Sequence, residues 1–211
     1  MKKYILFDND GVLVHTEPFY YKANIIALEE FFNVTLTFEE YMKIMANGTT
    51  VWQKALKKGY NLNDIEMART KRNEYYQNFL KTENILIDGV KEVLQELSKD
   101  YKMAIITTSR RVDFEIIHKN LGLTDFMEFV LCEEDYNFAK PHPEPYLKAL
   151  ELFNAKKEEA IIVEDSQRGL TSAFKAGIEC AIVKNEFTIT QDFSNATYFI
   201  ENLKDLKTIL N

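Results

Sequence analysis

The chain has 211 residues, 46% of them apolar and 28% charged, which excludes wholesale disorder and allows one domain with a modest insert. With 26 basic against 33 acidic residues the net charge is −7, and no long basic cluster offers a surface to nucleic acid. Cys132 and Cys180 are too few for a disulfide framework and lack metal-ligand spacing.

The first element is the apolar run Tyr4-Ile5-Leu6-Phe7. It follows Met1-Lys2-Lys3 but is cut by Asp8, too early for a signal-peptide core. No later stretch approaches the ~20 apolar residues that span a bilayer, so a soluble, cytoplasmic protein without a membrane partner is expected. Residues 16–85 read as helical throughout. Ala23, Ile26, Ala27, Glu30 and Phe31 trace one helix, and Ile65 to Leu80 forms a long charged and aromatic one. Beyond them Val90, Val93, Leu94 and Leu97 mark one helix face. Met103 to Ile106 is a second apolar run. Phe114, Ile117, His118 and Leu121 mark the next helix, stopped by Gly122, and Phe129 to Leu131 is a weaker apolar run. Tyr146, Leu147, Leu150 and Phe153 follow a proline-rich entry. Ala160 to Val163 is another apolar run. Leu170 to Ala176 precedes Gly177, and Cys180 to Val183 closes the series.

Each apolar run is too short for a helix and lacks in–out alternation, as strands buried on both faces do. Alternation with helices predicts a doubly wound α/β fold with a parallel-sheet, Rossmann-like core. Residues 1–15 and 86–211 form that core, and 16–85 form an inserted helical cap.

Polar residues gather directly after the runs: Asp8-Asn9-Asp10-Gly11, Thr107-Thr108-Ser109 and Glu164-Asp165-Ser166. Ligands of open α/β sheets bind beyond the C-terminal strand ends, so parallel neighbours would bring these groups together. Asp8, Asp10, Glu164 and Asp165 would then repel one another, and a hard divalent cation with all-oxygen ligation, Mg²⁺, is the natural compensation. Helix capping accounts for any one such group, but not for paired acids at two strand ends.

The segment Phe7-Asp8-Asn9-Asp10-Gly11-Val12-Leu13 resembles the first motif of the haloacid dehalogenase superfamily. Thr107 matches the second, Lys140-Pro141 with Pro143 the third, and Glu164-Asp165-Ser166 with Gly169 the fourth. The insert lies where the subgroup of β-phosphoglucomutase and phosphoglycolate phosphatase carries its cap. The resemblance implies a Mg²⁺-dependent phosphatase acting on a small phosphorylated metabolite, such as a sugar phosphate, through an aspartyl-phosphate. Asp8 would be the nucleophile and Asp10 the general acid, then the base for water. Thr107 would donate to phosphate beside the Thr108 N–H, and Lys140 would offset charge. Asp8, the Asp10 backbone carbonyl and Asp165 would hold Mg²⁺, with Glu164 as a further or outer ligand.

Gly11 gives the tight turn, and Ser109 follows on the substrate side. Arg110 or Arg111 either helps bind an anionic substrate or begins a solvated helix. In the cap, Asn47-Gly48-Thr49-Thr50 resembles the subgroup's substrate-facing loop; a buried turn at that Gly is the other reading. Trp52, Tyr20 and Tyr21 are expected to pack the cap. His118 is expected in the core and His142 as structural. Tyr20, and the lack of Arg in Thr49 to Val51, stand where mutases of the subgroup carry His and Arg, which disfavours the alternative of a sugar-phosphate mutase. A non-catalytic phosphate-binding protein is the other alternative. A monomer or weak homodimer is expected.

Overall fold

In the computed structural model, which describes residues Met1–Leu210, the chain forms two compact units. One comprises Met1–His15 with Ile85–Asn211, and the other Thr16–Asn84. In the first unit the strands are β1 (Tyr4–Phe7), β2 (Lys102–Ile106), β3 (Phe129–Leu131), β4 (Ala160–Glu164), β5 (Glu179–Val183) and β6 (Tyr198–Ile200). All pair in parallel in the order β3-β2-β1-β4-β5-β6. The chain runs outward in opposite directions from β1 and β4, so the crevice at their C-terminal ends is the topological switch point.

β1 and β4 read as unbroken apolar runs because they lie in the middle of this sheet. Ile5, Leu6, Phe7 and Ala160 to Val163 are fully buried. β6 has no counterpart among the runs legible in the sequence. It is a three-residue edge strand whose middle residue, Phe199, is exposed, so it offers no run to detect.

The helices of the insert are α1 (Glu17–Phe32), α2 (Phe38–Ala46), α3 (Gln53–Lys57) and α4 (Leu62–Thr82). Asn61 caps α4 by accepting from the Asn63 and Asp64 N–H groups, while the Asp64 carboxylate accepts from the Asn61 N–H. Inside this unit Tyr20 meets Tyr76 edge-on, Tyr21 packs on Phe38 and Tyr41, and buried Trp52 lies against Phe32. The expected aromatic packing is therefore present. Gly48 lies in an exposed turn after α2 with open space where a Cβ would stand, which removes the buried-turn reading.

The remaining helices are α5 (Val90–Leu97), α6 (Arg111–His118), α7 (Glu144–Phe153), α8 (Gln167–Ala176) and α9 (Leu206–Leu210). α8 starts at Ser166, whose hydroxyl accepts from the Gly169 N–H, and stops at Gly177 in the left-handed region. No helix among the described residues is long and apolar enough to cross a membrane.

Candidate active site

Strand register assembles the site. Phe7 pairs with Ile105 on one side and Val163 on the other, so the residues that follow, Asp8, Ile106 and Glu164, come level at the sheet edge. The Asp8 N–H donates to the Val163 carbonyl at 2.9 Å and holds the end of β1 in place.

Lys140 reaches this edge from the loop before α7. Its side chain is 3% exposed, and its Nζ donates to Asp8 Oδ1 at 2.7 Å, Glu164 Oε1 at 2.7 Å and the Ile106 carbonyl at 2.8 Å. All three ammonium donors are thus directed. Burial alone would lower the lysine pKa, but the Asp8 and Glu164 charges and hydrogen bonds raise it. Burial, reinforced by the Glu164 charge, pushes the Asp8 carboxyl up to about 7 against the opposing pull of Lys140.

Glu164 is fully buried. Oε1 accepts from Lys140 and the Tyr146 hydroxyl; Oε2 accepts from the Asp165 N–H, the Ser166 N–H and the Ser166 hydroxyl. These partners, Lys140 above all, hold its pKa below the ordinary carboxylate value although burial pushes the other way. The carboxylate packs on Gly169, where an added Cβ would stand 1.8 Å from its carboxyl carbon. Glu164 thereby anchors Lys140.

Asp10 follows two residues after Asp8. Its Oδ2 accepts from the Ser109 hydroxyl at 2.7 Å, the Asn9 amide at 3.3 Å and the Thr107 hydroxyl at 3.4 Å. Thr107 is 1% exposed, and its oxygen also accepts from the Ser109 N–H at 3.0 Å. The Thr108 hydroxyl is within 3.1 Å of an Arg168 guanidinium nitrogen. Asp165 Oδ2 accepts from the Asn185 amide at 2.8 Å.

Asp8, Glu164 and Asp165 each offer a carboxylate oxygen, all within 4.8 Å of one another. The donor set is all oxygen and anionic, which fits a hard divalent cation. Gly11 supports that fit, because a Cβ there would lie 2.0 Å from Asp165 Oδ2 and its φ of +80° disfavours other residues. In a Mg²⁺ site built on Asp165, Gly11→Ala would displace that carboxylate and weaken binding at least about tenfold, by loss of an oriented ligand. Isothermal titration with Mg²⁺ checks this, and unchanged affinity would contradict it.

Of the residues singled out in the sequence, Asp8, Asp10, Gly11, Thr107, Ser109, Lys140, Glu164 and Asp165 are joined by these contacts. Arg110 is turned to Asp113, to which its Nε and a terminal nitrogen both donate. Arg111 pairs with Asp135. Asn47 and Gly48 belong to the helical unit.

Sequence reasoning passed over Asn185, Tyr146, Arg168 and the contact between His118 and Asn9, whose side-chain atoms lie 2.7 Å apart. Their only signal is proximity across the fold. Burial lowers the His118 pKa to about 4 from the ordinary 6.5, with a smaller opposing pull from the Asp10 charge. Its unfolded form therefore binds the proton more readily, so stability rises with pH across that window and is lost as pH falls through it. The loss from this group reaches about 3 kcal/mol at pH 4. Urea midpoints at pH 7 and pH 4.5 should differ less in His118→Gln than in the parent. Equal differences would count against the shift.

The sequence profile described as haloacid dehalogenase-like hydrolase matches residues 5–183. The chain belongs to this family. Pyrophosphatase PpaX of Bacillus anthracis is 27% identical over 98% of this chain and 95% of its own. PpaX of Bacillus mycoides is 26% identical over 98% and 96%. Among solved structures, CbbY from Rhodobacter sphaeroides, crystallised with phosphate, superposes with a TM-score of 0.82 at 22% identity, covering 98% of this chain and 96% of that one. A haloacid dehalogenase-like family protein from Streptococcus pneumoniae does so with 0.78 at 19% identity, covering 100% and 99%. These superpositions cover 98% or more of this family member and match its fold.

Proposed function

We propose that this hydrolase is a Mg²⁺-dependent phosphatase of a small phosphomonoester, working through a phosphoryl group carried on Asp8. The observation that carries the reading is the Asp8 carboxylate at the switch point, bonded to a buried Lys140, with a second carboxyl group, Asp10, held two residues away by two hydroxyls. Phosphoryl transfer asks mainly for in-line positioning and charge stabilisation. Asp8 would form the bond to phosphorus. Asp10 would protonate the leaving alcohol, then take the proton of the water that cleaves the aspartyl-phosphate. Lys140 would keep the Asp8 charge tolerable in a buried site and offset charge on the phosphoryl oxygens. With substrate bound the Thr107 hydroxyl would turn from Asp10 to those oxygens, the Thr108 N–H would donate beside it, and Ser109 would stay on Asp10.

Asp8, Asp165 and the Asp10 backbone carbonyl would hold Mg²⁺. Glu164, whose oxygens already accept five hydrogen bonds, would act on that group through Lys140 and the Asp165 N–H. A bound Mg²⁺ supplies charge neutralisation between carboxylate and phosphate.

Purified protein with Mg²⁺ should release phosphate from 4-nitrophenyl phosphate and stop when EDTA is added. A panel of phosphorylated metabolites, with inorganic pyrophosphate included because PpaX relatives bear that name, then ranks substrates by kcat/KM. Isomer interconversion with little phosphate release would instead indicate a mutase. Binding across the panel without turnover would indicate a non-catalytic protein.

A further inference from the structure

A buried polar contact lies behind the first motif and has no part in the scheme above. Asn9 is fully buried, and His118, in the last turn of α6, is 7% exposed and stacked on Phe114. His118 Nε2 lies 2.7 Å from Asn9 Oδ1, and Asn9 Nδ2 donates to Asp10 Oδ2 at 3.3 Å. The direction of this chain is fixed by its end. A carboxylate oxygen accepts, so the Asn9 amide nitrogen faces Asp10 and the Asn9 oxygen faces the ring. His118 must then donate from Nε2 as a neutral imidazole. Its Nδ1 is buried without a partner, which in this tautomer is a lone pair and not a stranded N–H. The Asn9 backbone is committed as well: its carbonyl lies within 3.3 Å of the Val12, Leu13 and Val14 N–H groups, closing the turn that carries Asp10.

We propose that His118 and Asn9 are positioning residues that fix the orientation of the Asp10 carboxyl group for proton transfer to the leaving alcohol. The proposal rests on the phosphatase reading. Asn9 and Ser109 both donate to Oδ2, at 3.3 and 2.7 Å, and hold the Asp10 carboxyl group from the side of the first motif. The relay from His118 through Asn9 thus keeps the carboxyl group turned one way. In the transfer the Asp8 oxygen–phosphorus bond forms and the bond from phosphorus to the leaving oxygen breaks. The Asp10 carboxyl proton passes to that oxygen, and Asp10 is left as carboxylate. A displacement of roughly 1 Å at such a group costs on the order of 10²-fold in rate.

The test uses two esters that differ in their need for an acid. A nitrophenolate leaves readily unprotonated, whereas an alkoxide such as that of glycerol phosphate does not. In His118→Leu the ratio of kcat/KM for glycerol phosphate to that for 4-nitrophenyl phosphate should fall about tenfold or more, carried by kcat, as loss of acid catalysis predicts. His118→Gln, which keeps a donor near the Nε2 position, should restore the ratio to within about threefold of the parent. The double variant Asn9→Leu/His118→Leu replaces both buried partners with apolar groups, guards against a folding defect in the single one, and should show the same fall. An unchanged ratio in either folded Leu variant, or a ratio not restored by Gln, would overturn the proposal. A parent protein that hydrolysed neither ester would instead overturn the phosphatase reading on which it rests.

Discussion

Asp8→Asn should bring phosphate release from 4-nitrophenyl phosphate down by at least about 10⁴-fold, the scale on which removal of a nucleophile acts, while the protein stays folded. The substitution keeps shape and removes one negative charge beside a fully buried Glu164, leaving Lys140 paired with that residue. Binding of substrate should survive, because the amide withdraws nucleophilicity and not volume. The same variant has a stability signature. In cation-free protein the Asp8 carboxyl is raised from the ordinary 3.8 to about 7, so between those values the folded state holds the proton more tightly than the unfolded one. Stability contributed by this group therefore falls as pH rises through that window. Asn has no proton to lose, so its stability should fall less between pH 5 and pH 8 in EDTA. Urea unfolding at the two pH values, alongside the activity assay, checks both halves. Retained turnover would remove Asp8 from the chemistry.

Lys140→Met should destabilise the protein by about 3–5 kcal/mol, as loss of one partner from a buried ion pair does. The cause is what remains. Asp8 and Glu164 lose their common counter-charge, and the Ile106 carbonyl loses its donor from Lys140. Methionine fills much of the lysine stem's volume, so packing is a minor part of the effect. Adding Glu164→Gln removes one of the stranded charges, and the double variant should be more stable than Lys140→Met alone. Urea midpoints of the parent, both single variants and the double variant give the comparison. A Lys140→Met protein as stable as the parent would mean that the buried network adds nothing to folding.

How much of this was open to reading from the sequence depended on the length scale of each signal. β1, β2, β4 and β5 announce themselves because central strands of a parallel sheet are apolar on both faces. β6, short and at the edge, carries no such run. The motif residues Asp8, Asp10, Thr107 and Asp165 stand after strands and Lys140 in the loop before α7, where ligands of this topology bind. What the motifs do not encode is where a side chain's lone pairs go. Glu164 stands in an acidic pair, yet both of its oxygens turn inward to Lys140, Tyr146 and the start of α8. Arg110, a cation beside the second motif, closes back on Asp113 three residues later. His118 sits on an apolar helix face and gives no hint of Asn9, which lies more than a hundred residues earlier in the chain. Each of these outcomes is decided by tertiary distance, which spacing along the chain does not reveal.

If a phosphoryl group passes through Asp8, rapid acid quenching should trap it there. Protein turning over a saturating phosphomonoester with Mg²⁺ is quenched in milliseconds, digested at low pH and mapped by mass spectrometry. One added phosphoryl group is expected on the peptide that holds Asp8, labile to hydroxylamine and missing in Asp8→Asn. Steady phosphate release with that peptide unmodified at every quench time, or a phosphoryl group on another residue, would contradict it.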